Sequence, residues 1–158
     1  MKKILFVAIL SFMVFTTNAQ ELTWHTDMNK ATELSLKKKK PLMLFFTGSD
    51  WCGWCIKLQK EVFYTDEFKK WANDNVILVE LDFPKRKQLD DKTKMQNYEL
   101  QQTFQVRGYP TVWFVNPEKS KDKEDKKINL AAIGSTGYVH GGSVKWIEGA
   151  NTILSSKK

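Results

Sequence analysis

Two cysteines separated by two residues, Cys52 and Cys55, stand where a buried strand is expected to turn into a helix. Leu42 to Phe46 form an unbroken apolar run, which suits a strand covered on both faces and is too short for a helix of its own. Thr47 to Asp50 form a polar turn, and apolar residues then recur at helical spacing from Cys52 onward. The sequence therefore predicts a strand, a turn and a helix, with both sulfur atoms in the first helical turn.

This placement favours redox chemistry at the two sulfur atoms. Unsatisfied backbone N–H groups at a helix N-terminus stabilise negative charge, so Cys52 is favoured as the thiolate, which is the reactive form. Cys55 lies one turn further along the helix, close enough to form a disulfide with little backbone movement. We therefore assign Cys52 as the residue that attacks a foreign disulfide and Cys55 as the residue that resolves the mixed disulfide.

A zinc site and a purely structural disulfide are the two other uses that such a cysteine pair could have. Zinc is usually held by four ligands, and the remaining candidates, His25 and His140, are not at ligand spacing, so no metal is expected. Both cysteines of the chain lie in this one motif, which leaves none for another disulfide. An exported protein that keeps its only two thiols in a Cys-x-x-Cys pair is expected to use them for chemistry.

The N-terminus has the features of a secretory signal peptide. Lys2 and Lys3 supply the positive charge, Ile4 to Phe15 form the apolar region, and small residues up to Ala19 suit a cleavage site. The apolar region is short for a membrane span, although an uncleaved N-terminal anchor is the alternative. We predict a signal peptide over residues 1–19, cleavage after Ala19, a single domain over residues 20–158, and a periplasmic or secreted location.

The charge of the chain favours no specific partner. Cleavage after Ala19 removes two lysines and no acidic residue, which lowers the formal charge from +7 to +5. The remaining lysines are interleaved with acidic residues, and Ser120 to Lys127 are expected to form a solvated charged loop. Because no basic face with stacking aromatic residues is present, nucleic-acid binding is not expected. We expect a monomer.

The pattern of apolar residues predicts an α/β protein. A strand, helix, strand and further helix are followed by a two-stranded hairpin and a closing helix, which predicts a central mixed sheet flanked by helices on both faces. Within this order, Asn116 and Pro117 are expected to begin a turn, and Ser143 is expected to cap the last helix. Residues 22–24 are a candidate short edge strand, and the later predicted strands cover residues 42–46, 76–83, 111–115 and 129–133.

Two motifs resemble those of the thioredoxin superfamily. The first is the string Trp-Cys-Gly-Trp-Cys after an apolar strand, and the second is the later string from Val106 to Thr111, which is similar to the cis-proline loop of that family. Together they resemble exported, single-domain bacterial thioredoxin-like proteins related to the soluble domains of thiol:disulfide interchange proteins. The resemblance extends from Leu22 to Leu154 and implies a thioredoxin-like fold.

The resemblance also implies a substrate-binding surface around the cysteines. Trp51 is expected to pack against the disulfide and shield it, or equally to be a core residue. Gly53 would allow close approach of a substrate backbone, and Trp54 would add an apolar contact. Pro110 is expected to follow a cis peptide bond, with an ordinary trans turn as the alternative. Tyr109 would then offer its backbone N–H and carbonyl to an added substrate strand.

One position departs from the family pattern. Typical thioredoxins bury an aspartate in the central strand beneath the second cysteine, where it helps to move a proton. The corresponding residue here is Phe45 or Phe46, depending on how the turn is aligned. Glu80 or Lys57 could replace the missing carboxylate, or water could serve. Glu80 could equally be an edge-facing or paired residue.

These features predict an exported thiol–disulfide oxidoreductase that reduces or isomerises disulfides in envelope proteins. The cysteine pair carries the two electrons, so no cofactor is expected, and a membrane partner would supply the electrons. One alternative is a redox-independent binding or chaperone module that recognises extended chains through the Pro110 loop. The other is an oxidant that forms disulfides, and the sequence does not separate the two directions.

Overall fold

The computed structural model describes residues 21–119 and 128–156. The predicted signal peptide, residues 1–19, and the predicted charged loop, residues 120–127, lie outside the described residues. Across the described ranges, no helix has the length and apolar character needed to span a membrane. The elements in chain order are β1 Trp24–His25, α1 Met28–Lys38, β2 Leu42–Thr47, α2 Gly53–Leu58, a π-helical turn Gln59–Phe63, α3 Asp66–Asn75, β3 Ile77–Asp82, α4 Asp91–Thr103, β4 Thr111–Lys119, β5 Ile128–Thr136 and α5 Gly142–Ser155.

The strands form one mixed sheet, as predicted, and their order in the sheet is β1-β3-β2-β4-β5. Strands β1, β2 and β3 are parallel, whereas β4 is antiparallel to both β2 and β5. Every residue of β2 is buried, because helices cover both faces of the sheet. This explains why the strand is apolar throughout instead of alternating.

Alternate residues of β2 divide the core into two clusters. Met43 and Phe45 belong to the cluster that contains both cysteines, together with residues of α2, α3 and α5. Leu42, Leu44 and Phe46 belong to the opposite cluster, with residues of α1 and α4. We call the first side of the sheet the cysteine face. Its centre is the indole of Trp146, which is 1% exposed and packs against the rings of Phe63, Phe68, Trp71 and Phe114.

Several predicted boundaries were wrong: β3 covers residues 77–82 instead of 76–83, and β5 covers residues 128–136 instead of 129–133. Strand β2 continues through Thr47, which the sequence assigned to the turn. Strand β4 continues through Asn116 and Pro117 to Lys119, and beyond Val115 it pairs only with β5. Proline has no backbone N–H to donate, and it is tolerated here because one side of this segment has no neighbouring strand. Helix α5 begins at Gly142 with Gly141 as its N-cap, where φ is 118°, instead of being capped by Ser143.

Candidate active site

The two cysteines form a disulfide at the start of α2, with their Cα atoms 5.2 Å apart. Cys52 is the N-cap of this helix, and the backbone N–H of Cys55 donates a hydrogen bond to Cys52 Sγ at 3.2 Å. Cys52 is 6% exposed and Cys55 is fully buried, so an incoming sulfur atom can approach only Cys52. Among the described residues, no group of three or more His, Cys, Asp or Glu side chains could hold a metal ion.

The turn before the cysteines is fixed by short-range and long-range hydrogen bonds. The carbonyl of Gly48 accepts from the N–H groups of Trp51 at 3.2 Å and Cys52 at 2.9 Å. A Cβ atom at position 48 would clash with the indole of Trp51, which explains the glycine. The N–H and hydroxyl of Ser49 both donate to the carboxylate of Asp82, at 2.8 and 2.6 Å, and so attach the turn to the end of β3.

Trp51 forms one wall beside the disulfide. Its ring is packed against protein yet remains 40% exposed, so it is both a structural contact and an accessible surface. The indole N–H donates to the carbonyl of Phe83 at 2.8 Å, and the ring meets that of Tyr109 edge-on at 5.8 Å. Tyr109 also packs against Phe83, at 5.2 Å between ring centroids. The Nζ of Lys85 lies 4.2 Å from the Trp51 ring centroid.

The loop before β4 lies at the same end of the sheet as the cysteines. Thr111 pairs with Phe46 near the end of β2, which places Pro110 beside the turn that leads to Cys52. The Tyr109–Pro110 peptide bond is cis. The hydroxyl of Tyr109 accepts from Gln101 Nε2 at 2.7 Å, and burial raises the pKa of this hydroxyl. Within residues 21–119 and 128–156, no hydrogen bond to the backbone N–H or carbonyl of Tyr109 is found, so an added strand could use both groups.

Trp54 forms a second wall on the other side of the disulfide. Its ring is 58% exposed and lies 5.3 Å from the ring of Tyr138. The Nζ of Lys57 lies over both rings, at 5.2 and 5.0 Å, and 3.8 Å from a carboxylate oxygen of Glu61. The hydroxyl of Tyr138 donates to Glu61 at 2.6 Å, and this hydrogen bond raises the pKa of Tyr138. Sequence reasoning missed Tyr138, because nothing in its own segment indicates a contact with α2.

Gly53 lies between these two walls. A Cβ atom built at this position would meet no other atom within 4 Å. The protein itself therefore does not require a glycine here by close packing. The space in front of Gly53 is open, and its use by the backbone of a substrate stays a prediction.

Asp50 connects the active-site turn to the loop that follows β3. Its carboxylate accepts three backbone hydrogen bonds, from Lys85 at 2.9 Å, Arg86 at 2.7 Å and Lys87 at 3.1 Å. These bonds lower the pKa of Asp50, that from Lys85 most. The sequence placed Asp50 in an exposed turn without a role, and no local pattern could have shown this long-range connection.

The structure decides which residue replaces the buried aspartate of typical thioredoxins. Phe45 lies on the cysteine face, where its ring packs 5.0 Å from Phe63 and 5.8 Å from Trp24. Phe46 lies on the opposite face against Phe83 and Phe104. An aromatic ring therefore fills the position of the carboxylate beneath the disulfide.

Of the two side chains that could replace this carboxylate, only Glu80 lies beside Phe45. The two residues are register partners in the parallel strands β3 and β2. Glu80 also lines a cavity of about 190 Å³ with Gln59, which lies one helical turn beyond Cys55. Burial raises the pKa of Glu80, the charge of Asp82 raises it further, and Lys87 partly opposes both. Lys57 instead lies at the surface in the wall formed by Trp54.

Replacing Glu80 with glutamine is expected to raise the melting temperature near neutral pH. The pKa of Glu80 is higher in the folded state than its reference value of 4.5, so the folded protein binds this proton more tightly than the unfolded chain. The contribution of Glu80 to the free energy of unfolding therefore falls as the pH rises from its reference pKa through its folded-state pKa. Above both pKa values the ionised carboxylate destabilises the folded protein to the full extent. Thermal unfolding of Glu80→Gln and of the wild type should show a larger gain in melting temperature at about pH 7.5 than at about pH 4.

The matched control for this substitution is Glu33→Gln on the exposed side of α1, which makes the same chemical change at the surface. It should leave the melting temperature nearly unchanged at both pH values. A lower melting temperature for Glu80→Gln at neutral pH would mean that the ionised carboxylate stabilises the fold, which is the opposite of the expected sign.

The chain is similar to known proteins in both sequence and fold. Residues 28–122 match the family model described as a thioredoxin-like domain. The chain is 36% identical over 121 residues to Disulfide bond reductase DsbH of Chlamydia pneumoniae, covering 77% of this chain and 70% of that protein. It is 30% identical to Thioredoxin-related protein DsbJ of the same organism, but spans only 35% of it. A solved structure titled DsbH Oxidoreductase superposes with a TM-score of 0.74 at 32% identity, covering 86% of both chains.

Proposed function

The chain belongs to the thioredoxin-like family and is a protein-disulfide oxidoreductase, and from this premise we propose that it is exported and reduces or isomerises disulfides of envelope proteins. The observation that carries the proposal is the disulfide at the start of α2, with Cys52 Sγ accepting the N–H of Cys55 and Cys55 fully buried. A hydrogen bond to sulfur at a helix N-terminus favours the thiolate form. Cys52 is therefore the attacking residue in this proposal, and Cys55 the resolving one.

The proposed reaction is a two-step thiol–disulfide exchange. The Cys52 thiolate attacks one sulfur atom of a substrate disulfide, which forms a mixed disulfide and releases the other substrate sulfur as a thiolate. Cys55 then loses its proton, and its thiolate attacks Cys52 Sγ. The Cys52–Cys55 disulfide forms, the second substrate thiolate leaves, and two electrons have moved to the substrate. A membrane-bound dithiol donor would restore the reduced pair.

Two observations support the reducing direction. No histidine stands between the cysteines, whereas a histidine beside the second cysteine accompanies more oxidising members of the family. The relative with 36% identity bears the name Disulfide bond reductase, which is stated of that protein. The substrate would contact Trp51, Gly53 and Trp54 and add a strand at the Tyr109–Pro110 loop.

The export part of the proposal rests on the sequence of residues 1–19. Expressed with its full N-terminus in a Gram-negative host, the protein should be recovered from the periplasmic fraction with an intact mass that begins at Gln20. A chain that keeps residues 1–19 and stays in the membrane fraction would support an anchor, and recovery of the full chain from the cytosol would contradict export. The domain would then comprise residues 20–158.

The proposed direction can be tested independently of location. The reduced protein should convert a peptide disulfide to its dithiol much faster than the oxidised protein converts the dithiol to the disulfide. The opposite order of rates would identify a disulfide-forming oxidant.

A further inference from the structure

Three consecutive cations follow β3 beside the active site. We call residues Lys85, Arg86 and Lys87 the basic loop, and all three are exposed. Their backbone N–H groups are fixed by the carboxylate of Asp50, which lies two residues before Cys52. The basic loop is therefore held in a defined position next to the attacking cysteine, although the two segments are far apart in sequence.

The charge of the basic loop is largely uncompensated. Within the part of the chain that the structure describes, none of its three side chains forms a salt bridge, whereas Lys57 on the other wall has Glu61 as its partner. The carboxylate of Asp50 is occupied by backbone N–H groups, and that of Asp82 by Ser49. Lys87 interacts electrostatically with Glu80 and Arg86 with Asp50, which leaves Lys85 as the freest charge of the three. This wall therefore presents a positive surface.

The basic loop is continuous with the expected path of a substrate. Lys85 lies over the Trp51 ring, whose indole N–H donates a hydrogen bond to the carbonyl of Phe83. The ring of Phe83 in turn packs against Tyr109. A strand that pairs with the backbone of Tyr109 would therefore pass close to these cations. Below the loop lies a recess of about 350 Å³, whose lining includes Lys85, Lys87 and Lys94 together with the carboxylate residue Asp82. Lys94 is paired with Asp91 at 3.3 Å, so Lys85 and Lys87 are the cations of the recess that an incoming carboxylate side chain could contact.

We propose that the basic loop recognises acidic side chains next to the disulfide of a substrate polypeptide, so that this protein reacts preferentially with disulfides in acidic segments. This inference rests on the proposed function, since it concerns the choice of substrate at the same cysteine pair. Complementary charge raises the rate of encounter and fixes the register of the bound strand. The effect weakens as salt increases, because the charges involved are exposed.

The test compares two synthetic peptides with one intramolecular disulfide and identical sequences, except that three glutamates beside the disulfide in one peptide are glutamines in the other. The reduced protein is mixed with each peptide in a single turnover, and the second-order rate constant is followed by tryptophan fluorescence. We expect the glutamate peptide to react about tenfold faster at low salt. The preference should approach unity in about 0.5 M salt.

The variants isolate the basic loop from overall charge. The triple variant K85A/R86A/K87A should lose the preference, whereas K37A/K38A/K70A, which removes the same charge from exposed positions outside the active-site walls, should keep it. The variant K85R/R86K/K87R should also keep it. Should the triple alanine variant fail to fold, Lys85→Gln together with the salt dependence of the wild type decides the question.

Equal rates for the two peptides in the wild type would overturn the inference, and so would an equal loss in the two alanine triples. Failure of the wild type to reduce either peptide is a different result, because it would contradict the proposed function and not only the substrate preference.

Discussion

Replacing Cys52 with serine is expected to reduce disulfide exchange to the uncatalysed rate, a loss of at least about a thousandfold. The reason is geometric, since Cys55 is fully buried and only Cys52 offers a sulfur atom to an incoming substrate. A serine hydroxyl cannot form a mixed disulfide. Insulin reduction with dithiothreitol as the electron source would measure the loss, and normal activity in this variant would refute the assignment of Cys52.

The matched variant Cys55→Ser separates the two cysteines by role. It keeps the attacking thiol at the helix N-terminus and removes the resolving thiol, so mixed disulfides should accumulate instead of turning over. Non-reducing gel electrophoresis after mixing with a disulfide substrate should reveal these adducts, and dithiothreitol should dissolve them. Adducts that form with Cys52→Ser but not with Cys55→Ser would reverse the two roles.

Replacing Trp146 with alanine is expected to lower the free energy of unfolding by about 3–5 kcal/mol. The side chain is 1% exposed and joins α5 to the aromatic rings of α3, the π-helical turn and β4. Its indole N–H also donates to the carbonyl of Gly137 at 3.0 Å, and this partner would be left unsatisfied. The loss would be a large fraction of the stability of a domain this size.

Urea unfolding followed by far-UV circular dichroism would measure this loss. Val144→Ala is the matched control, because Val144 lies on the same helix and is 60% exposed. It should change the unfolding free energy by no more than about 0.5 kcal/mol. A cost below about 1 kcal/mol for Trp146→Ala would show that the aromatic cluster relaxes into the space and is not the centre of the core.

The elements that local patterns specify could be predicted from the sequence. The apolar run in β2 and the Cys-x-x-Cys pair each carry their signal within a few neighbouring residues. The mixed sheet, the order of elements and the thioredoxin-like family were therefore identified correctly. The family resemblance was confirmed by the match over residues 28–122.

What the sequence could not predict depends on contacts between distant segments. The choice between Phe45 and Phe46 required the orientation of β2, because a shift of one residue moves a side chain to the other face of the sheet. The hydrogen bonds that Asp50 accepts from the basic loop, and the contact between Trp54 and Tyr138, join segments far apart in the sequence, and no local pattern indicates such contacts. The end of β4 was misplaced because Pro117 is tolerated only where one side of the strand has no partner.

The two walls of the site give the cysteine pair different surroundings on each side. On the Trp51 side the surface is basic and largely unpaired, whereas on the Trp54 side the charge of Lys57 is shared with Glu61. A substrate that crosses the site would therefore meet a charged and a mainly aromatic surface. This asymmetry can orient a polypeptide relative to Cys52, which a symmetric apolar surface could not do.

The central claim is that the Cys52–Cys55 couple acts as a reductant, and its reduction potential tests this most directly. The oxidised protein would be equilibrated with dithiothreitol and glutathione buffers of known potential, with Trp51 and Trp54 as fluorescent reporters beside the disulfide. We predict a value of about −270 mV, which is that of a thioredoxin-like reductant. A value of about −120 mV would mark a strong oxidant and contradict the proposed direction.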